Sequence, residues 1–161
     1  MSIVSRSHQD YLAFVRDQLR KEYNSPEAMR FLQRFYSDII FWITAIDLSA
    51  AASLMQSAYS SKPRGRKPHD PADMLRCLLL MTKLELSVDE GVVAIRTTPV
   101  YAILCGFNPG ESPGVGTFYD FFPRLWRASK PHKTGRIKRR LKKPRKKGKK
   151  NEKQEPKNPK I

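Results

Sequence analysis

Asp70-Pro71-Ala72-Asp73-Met74-Leu75-Arg76-Cys77-Leu78-Leu79-Leu80-Met81 is the stretch whose reading decides the fold. Asp is a favoured N-cap, Pro is tolerated at the first helical position, and an acid belongs in the first turn. The run Met74, Leu75 and Cys77 to Met81 is hydrophobic on too many sides for a surface helix. It predicts the core helix of an all-α domain. Ser87-Val88-Asp89-Glu90 is a capping box, and Val88, Val92 and Ile95 follow at helical spacing. Thr98-Pro99 opens a short third helix that Gly106 stops. The segment from Phe107 to Gly116 holds three Gly and two Pro and reads as a loop. It leads to a last element bearing Phe118, Tyr119, Phe121 and Phe122. Short helices joined by a tight turn, the last with polar groups near its start, predict a helix-turn-helix-like C-terminal part. Pro123 constrains that element. With Thr117 as N-cap, it kinks or ends the helix near Phe122. With Asp120 as N-cap, it loses no hydrogen bond, but Phe122 is forced into a disfavoured conformation.

Upstream the pattern stays helical. Ser7-His8-Gln9-Asp10 resembles a capping box, and Tyr11, Leu12, Val15 and Leu19 form an apolar stripe. Ser25-Pro26 starts a second helix. In it Met29, Leu32, Tyr36, Ile39, Ile43 and Ile46 recur at heptad spacing, which suits either packing within the domain or a dimer seam. Phe35, Ile40, Phe41 and Trp42 widen the stripe and favour the interior reading. Asp47 or Ser49 begins a small Ala-rich helix to about Tyr59. The predicted organisation is a helical domain over 1–127 and a disordered basic tail over 128–161. Within the domain, 7–59 are N-terminal helices, 60–69 a basic linker and 70–127 the core helices.

Charge is divided unevenly over the 161 residues. Residues 127–161 carry 17 Lys and Arg against 2 Glu, while the remainder carries 14 against 13. A nearly neutral body with a polycationic tail points to a polyanionic partner, nucleic acid first. A solubilising tail is the plainer alternative, and the tail has no amphipathic periodicity that would suit a membrane. The longest apolar run, Ile39 to Ile46, is far short of the ~20 residues a span needs. Cys77 and Cys105 fall in apolar helical contexts and read as buried reduced thiols. With no apolar stretch near Met1, the expected location is the cytoplasm, at the nucleoid.

Two resemblances sharpen the reading. Lys62-Pro63-Arg64-Gly65-Arg66-Lys67-Pro68 resembles an AT-hook, an arm whose arginines lie in a narrow A·T minor groove, with Lys67 where the hook has proline. The plainer reading is a basic linker shaped by Gly and Pro. On a larger scale, Gly65-Arg66-Lys67-Pro68-His69-Asp70-Pro71, the Leu-rich helix and Gly116-Thr117-Phe118-Tyr119-Asp120-Phe121 resemble the N-terminal domain of InsH-like insertion-sequence transposases. The likeness covers roughly residues 45–127. It implies a helical DNA-binding unit placed ahead of a ribonuclease-H-like domain whose three carboxylates hold two metal ions. The sequence ends at Ile161, before such a domain, so the expectation is the DNA-binding module of a truncated or split transposase, not an enzyme.

The residues themselves show no catalytic constellation and call for no cofactor. His8, His69 and His132 are far apart and do not pair with either cysteine at metal-ligand spacing. Asp70, Asp73, Asp89, Glu90 and Asp120 read as caps, first-turn acids or surface charges. The candidate DNA-binding residues are Arg64, Arg66 and Lys67 in the linker and Thr117, Tyr119 and Arg124 near the last helix. Lys138, Arg139, Arg140, Lys142 and Lys143 add to them in the tail. The expected partner is double-stranded DNA. Two further readings stand beside it: a helical module that pairs with itself or with a full-length transposase, and a non-specific RNA-binding protein.

Overall fold

Helices begin where capping residues stand. The computed structural model describes residues 5–59 and 68–128, and among these the only regular structure is helical. In α1 (His8–Glu22) the Ser7 hydroxyl caps the Asp10 N–H, and in α2 (Pro26–Thr44) Ser25 caps Ala28 with Pro26 at the first position. The Asp47 carboxylate accepts the Ser49 N–H at the start of α3 (Ser49–Gln56). Asp70 caps α4 (Pro71–Lys83), and both halves of the Ser87/Glu90 capping box form at α5 (Val88–Thr97). Thr98 alone separates α5 from α6 (Pro99–Leu104), and α7 (Val115–Ala128) completes the domain.

Two helices end in the same left-handed turn. After α6, Gly106 has φ +90°, its N–H reaches the Ile103 carbonyl, and the Phe107 N–H reaches Ala102. After α4, the Leu86 N–H reaches Met81 and the Glu85 N–H reaches Thr82, but the left-handed residue is Glu85, at φ 55°. Glycine is the ordinary occupant of that position because it has no Cβ to crowd the following carbonyl.

α4 is the core helix, as its composition predicts. It packs on α2, α3 and α5 and buries Ala72, Met74, Cys77, Leu80 and Met81. The thiol of Cys77 is pushed well above the ordinary range, first by burial and then by neighbouring Cys105, so it is an inert core group. α1 contributes Tyr11, Val15 and Leu19, and the Tyr11 hydroxyl donates to the Leu104 carbonyl at 2.8 Å, fastening α1 to α6. Each fully buried side chain of this size contributes about 1.5–3 kcal/mol. Gly91 lets α5 approach α4 closely, because a Cβ there would overlap the Met81 side chain.

Four expectations need correction. First, α7 starts at Val115, ahead of both Thr117 and Asp120, and runs through Pro123 to Ala128. Phe118 and Phe121 before the proline and Leu125 after it share one apolar face, while Pro123 is on the exposed side. There water can take the carbonyl that the missing N–H leaves free, and packing carries the helix past the break. Second, the tight turn does not lie ahead of the last helix, where the chain runs from Cys105 to Gly114; the short connections are residues 84–87 between α4 and α5 and Thr98 between α5 and α6. Third, Leu32, Ile39 and Ile43 face the core as read, but Phe35 and Phe41 do not join them; both are exposed. Fourth, Asp73 is no mere first-turn acid, as described below.

No single described helix is long and apolar enough to cross a membrane. Taken together α2 and α3 pass by length and composition, but they bend by 54° at their break. Their residues Leu32, Ile39, Ile43, Ala52 and Met55 are buried in the protein itself. Residues 1–4, 60–67 and 129–161 lie outside the described set, and with them the disordered-tail expectation.

Candidate nucleic-acid interface

Of the candidate DNA-binding residues, Arg64, Arg66, Lys67, Lys138, Arg139, Arg140, Lys142 and Lys143 lie outside the described residues. Thr117, Tyr119 and Arg124 are all on α7, and the helix separates them. Thr117 and Arg124 are seven positions apart, nearly two full turns, and line one cavity of about 240 Å³. Tyr119, two positions from Thr117, points from the opposite flank; it is exposed and meets Phe122 edge-on at 6.2 Å.

The cavity joins α7 to both roots of the basic linker. Tyr59, just before the linker, and Pro68, near its end, both line it. The Arg124 guanidinium lies over the Tyr59 ring at 4.9 Å, a cation–π contact within the usual reach. Burial raises the Tyr59 phenol above its ordinary range, with the Arg124 hydrogen bond and charge opposing it, so the ring stays neutral beside the cation. Among the described residues, Asp120 is the one carboxylate lining this cavity. The arrangement can present a cation, a hydroxyl and the positive end of the α7 dipole to an anion.

A second constellation lies where the N-terminal segment meets α4. Asp73 accepts from Arg76 at 2.7 Å through one carboxylate oxygen and from Arg6 at 3.1 Å through the other. Arg6 also donates to the Gly106 carbonyl at 3.1 Å, and a Cβ on Gly106 would overlap the Asp73 carboxylate. Arg76, buried, lies 3.4 Å from the Tyr11 ring centroid, and among the described residues its Nε has no hydrogen-bond partner. Asp70 accepts the Ser5 hydroxyl, the Arg6 N–H and the Ala72 N–H. Burial pushes the Asp73 carboxyl up to about 6; the Arg6 and Arg76 guanidiniums oppose that rise and the Asp70 charge adds to it. These carboxylates spend their hydrogen bonds internally, so the cluster locks the N-terminal segment, α4 and the α6 turn together. Among the described residues, no three His, Cys, Asp or Glu side chains form a group able to hold a metal ion.

Sequence reading missed Arg76 because its neighbours are apolar. The signal was the i,i+3 spacing from Asp73, which sets the two side chains on one helix face. Arg6, 67 positions from Asp73, gave no local signal.

No curated protein and no solved structure matches the chain. Residues 34–124, more than half of it, match the family described as Transposase domain (DUF772). The match begins within α2, takes in the core helix α4, and ends at Arg124, on the rim of the linker cavity. The chain belongs to the DUF772 transposase-domain family.

Proposed function

We propose that this transposase-family domain binds double-stranded DNA along the rim where α7 meets the roots of the basic linker. One observation carries the reading: Thr117 and Arg124 share a cavity with Tyr59 and Pro68, so the arm bearing Arg64, Arg66 and Lys67 is rooted beside them. In this reading Arg124 and the Thr117 hydroxyl grip phosphate near the positive end of the α7 dipole. The arm follows the adjacent minor groove, and the polycationic tail adds salt-sensitive affinity through counterion release. Asp120 opposes phosphate at the same rim and limits non-specific binding. The domain positions DNA, in keeping with its resemblance to InsH-like N-terminal domains, and we assign it no strand-transfer chemistry.

Fluorescence anisotropy with a short duplex at several salt concentrations tests this. Arg124→Ala should weaken binding and lower the slope of log K against log salt by about 0.9, one phosphate contact. Asp120→Asn should act in the opposite sense and strengthen binding. Tyr119→Ala, on the other flank, should change little. Silence of both Arg124→Ala and Asp120→Asn would remove the α7 rim from the interface.

A further inference from the structure

The outward side of α2 carries large aromatic side chains that the core does not use. Phe31, Phe35 and Phe41 stand 48%, 62% and 73% exposed on the helix whose Leu32, Ile39 and Ile43 are buried. At about 100° per residue, Phe31, Arg34, Phe35, Asp38 and Phe41 fall in one stripe roughly a third of a turn wide. Single exposed apolar residues are ordinary on a protein surface, but three phenylalanines on one helix face mark a contact site. The stripe is already ordered. Phe31 lies 4.9 Å from Phe35 and 5.9 Å from Tyr36, and the Arg34 guanidinium lies 5.4 Å from the Phe35 centroid.

Part of the residue order along this stripe reverses onto itself about Tyr36, while Phe35, whose counterpart is Ser37, stands outside the pattern. Phe31 and Phe41 are equally far from Tyr36 on either side, and so are Arg34 and Asp38. Reversal about Tyr36 therefore sets Phe31 against Phe41 and the positive charge of Arg34 against the negative charge of Asp38. A surface complementary to its own reversed copy is what an isologous two-fold contact requires. A lipid surface has no use for an acid opposite a base, and an unrelated partner has no need of the symmetry.

We propose that the chain self-associates through this face, two α2 helices packing antiparallel about a two-fold axis level with Tyr36. Phe31 then lies beside the partner's Phe41 and Arg34 beside the partner's Asp38, each contact made twice. The Asp38 side chain is 87% exposed and touches Lys83 only at 3.7 Å, so it is free to accept a closer guanidinium. The seam differs from the heptad stripe of the same helix, whose Leu32, Ile39 and Ile43 are committed to the core.

Sedimentation equilibrium of the full chain without DNA, over rising concentration, tests the proposal. The expected result is a monomer–dimer equilibrium. Arg34→Asp or Asp38→Arg alone should weaken it by roughly tenfold or more by opposing like charges. The double variant Arg34→Asp/Asp38→Arg should restore it, because the swapped pair is complementary again. All four side chains in that contact are exposed or solvent-facing, and circular dichroism on each variant checks that the helices persist. A monomer at every concentration would overturn the proposal, as would a dimer indifferent to both single changes. So would a chain that stays monomeric while binding phosphatidylglycerol vesicles and loses that binding in Phe31→Ser/Phe35→Ser, since the stripe would then serve a lipid surface.

Discussion

Asp73→Ala offers the sharpest test of how this domain is held together. The change removes a carboxylate from a site 3% exposed, where it supplies acceptors to Arg76 at 2.7 Å and Arg6 at 3.1 Å. Arg6 is partly solvated and can turn to water. Arg76 cannot: it is buried, its other contact is the Tyr11 ring, and its Nε already lacks a partner among the described residues. Stranding a buried cation in this way costs about 3–5 kcal/mol, a large share of the ~5–15 kcal/mol that holds a domain folded. A melt followed by circular dichroism should show a drop of roughly 10–25 °C. Two further variants isolate the cause. Asp73→Ala/Arg76→Met removes the stranded charge and fills its space, so it should recover most of the loss. Asp73→Asn keeps an acceptor for Arg76 while giving up the charge. The two guanidiniums argue that losing the charge is harmful; the rise of the carboxyl to about 6 says that burial penalises the charge more than they reward it. The second effect is the stronger here, so Asp73→Asn should cost far less than Asp73→Ala. An asparagine variant as unstable as the alanine one would refute this ordering, and a harmless Asp73→Ala would refute the lock itself.

The same carboxyl sets a pH dependence. Its folded value of about 6 lies above its ordinary 3.8, so the native state holds the proton more tightly and stability falls as pH rises through about 6. Between pH 7.5 and pH 5 the gain from this group is about 1–1.5 kcal/mol, visible as a higher melting temperature at pH 5 and absent in Asp73→Asn. The two left-handed caps predict opposite outcomes for opposite changes. Glu85→Gly should raise stability by about 1 kcal/mol, because glycine adopts the φ of 55° without crowding. Gly106→Ala should lower it by at least about 1–3 kcal/mol, since strain at φ +90° adds to overlap with Asp73. Denaturant titrations measure both. In the linker, Arg64→Ala/Arg66→Ala should narrow the preference for A·T-rich over G·C-rich duplexes in competition binding, and equal weakening on both would mean phosphate contacts alone.

What could be read from the sequence was what local rules govern. Ser7, Ser25, Asp70 and Ser87 cap helices because each has its partner two or three positions away in the chain. Gly106 was legible for the same reason, and Glu85 was not, since no propensity rule puts a glutamate in a left-handed cap. The face choice of α2 was half legible. Periodicity selects Leu32, Ile39 and Ile43, but an apolar residue on the far side looks the same in sequence as one that widens the core stripe. At the candidate site, the separation of Tyr119 from Thr117 was in the sequence all along, as a spacing of two on a helix. The meeting of Arg124 with Tyr59 was not, because it depends on how α3 and α7 pack.

Pro123 shows why these two kinds of information part company in α7. Judged locally, a proline in the middle of an element should break it, and the penalty of about 3 kcal/mol is real. Judged by packing, Phe118 and Phe121 on one side and Leu125 on the other belong to a single apolar face, and burying such rings outweighs one lost hydrogen bond. Arg124 follows the proline directly. Had the helix ended at Phe122, nothing would set Arg124 two turns from Thr117, and the linker cavity would lose its cation. The residue that most threatens the helix therefore stands beside the one that joins it to the basic arm, and the aromatic face that overrides the break also positions the interface.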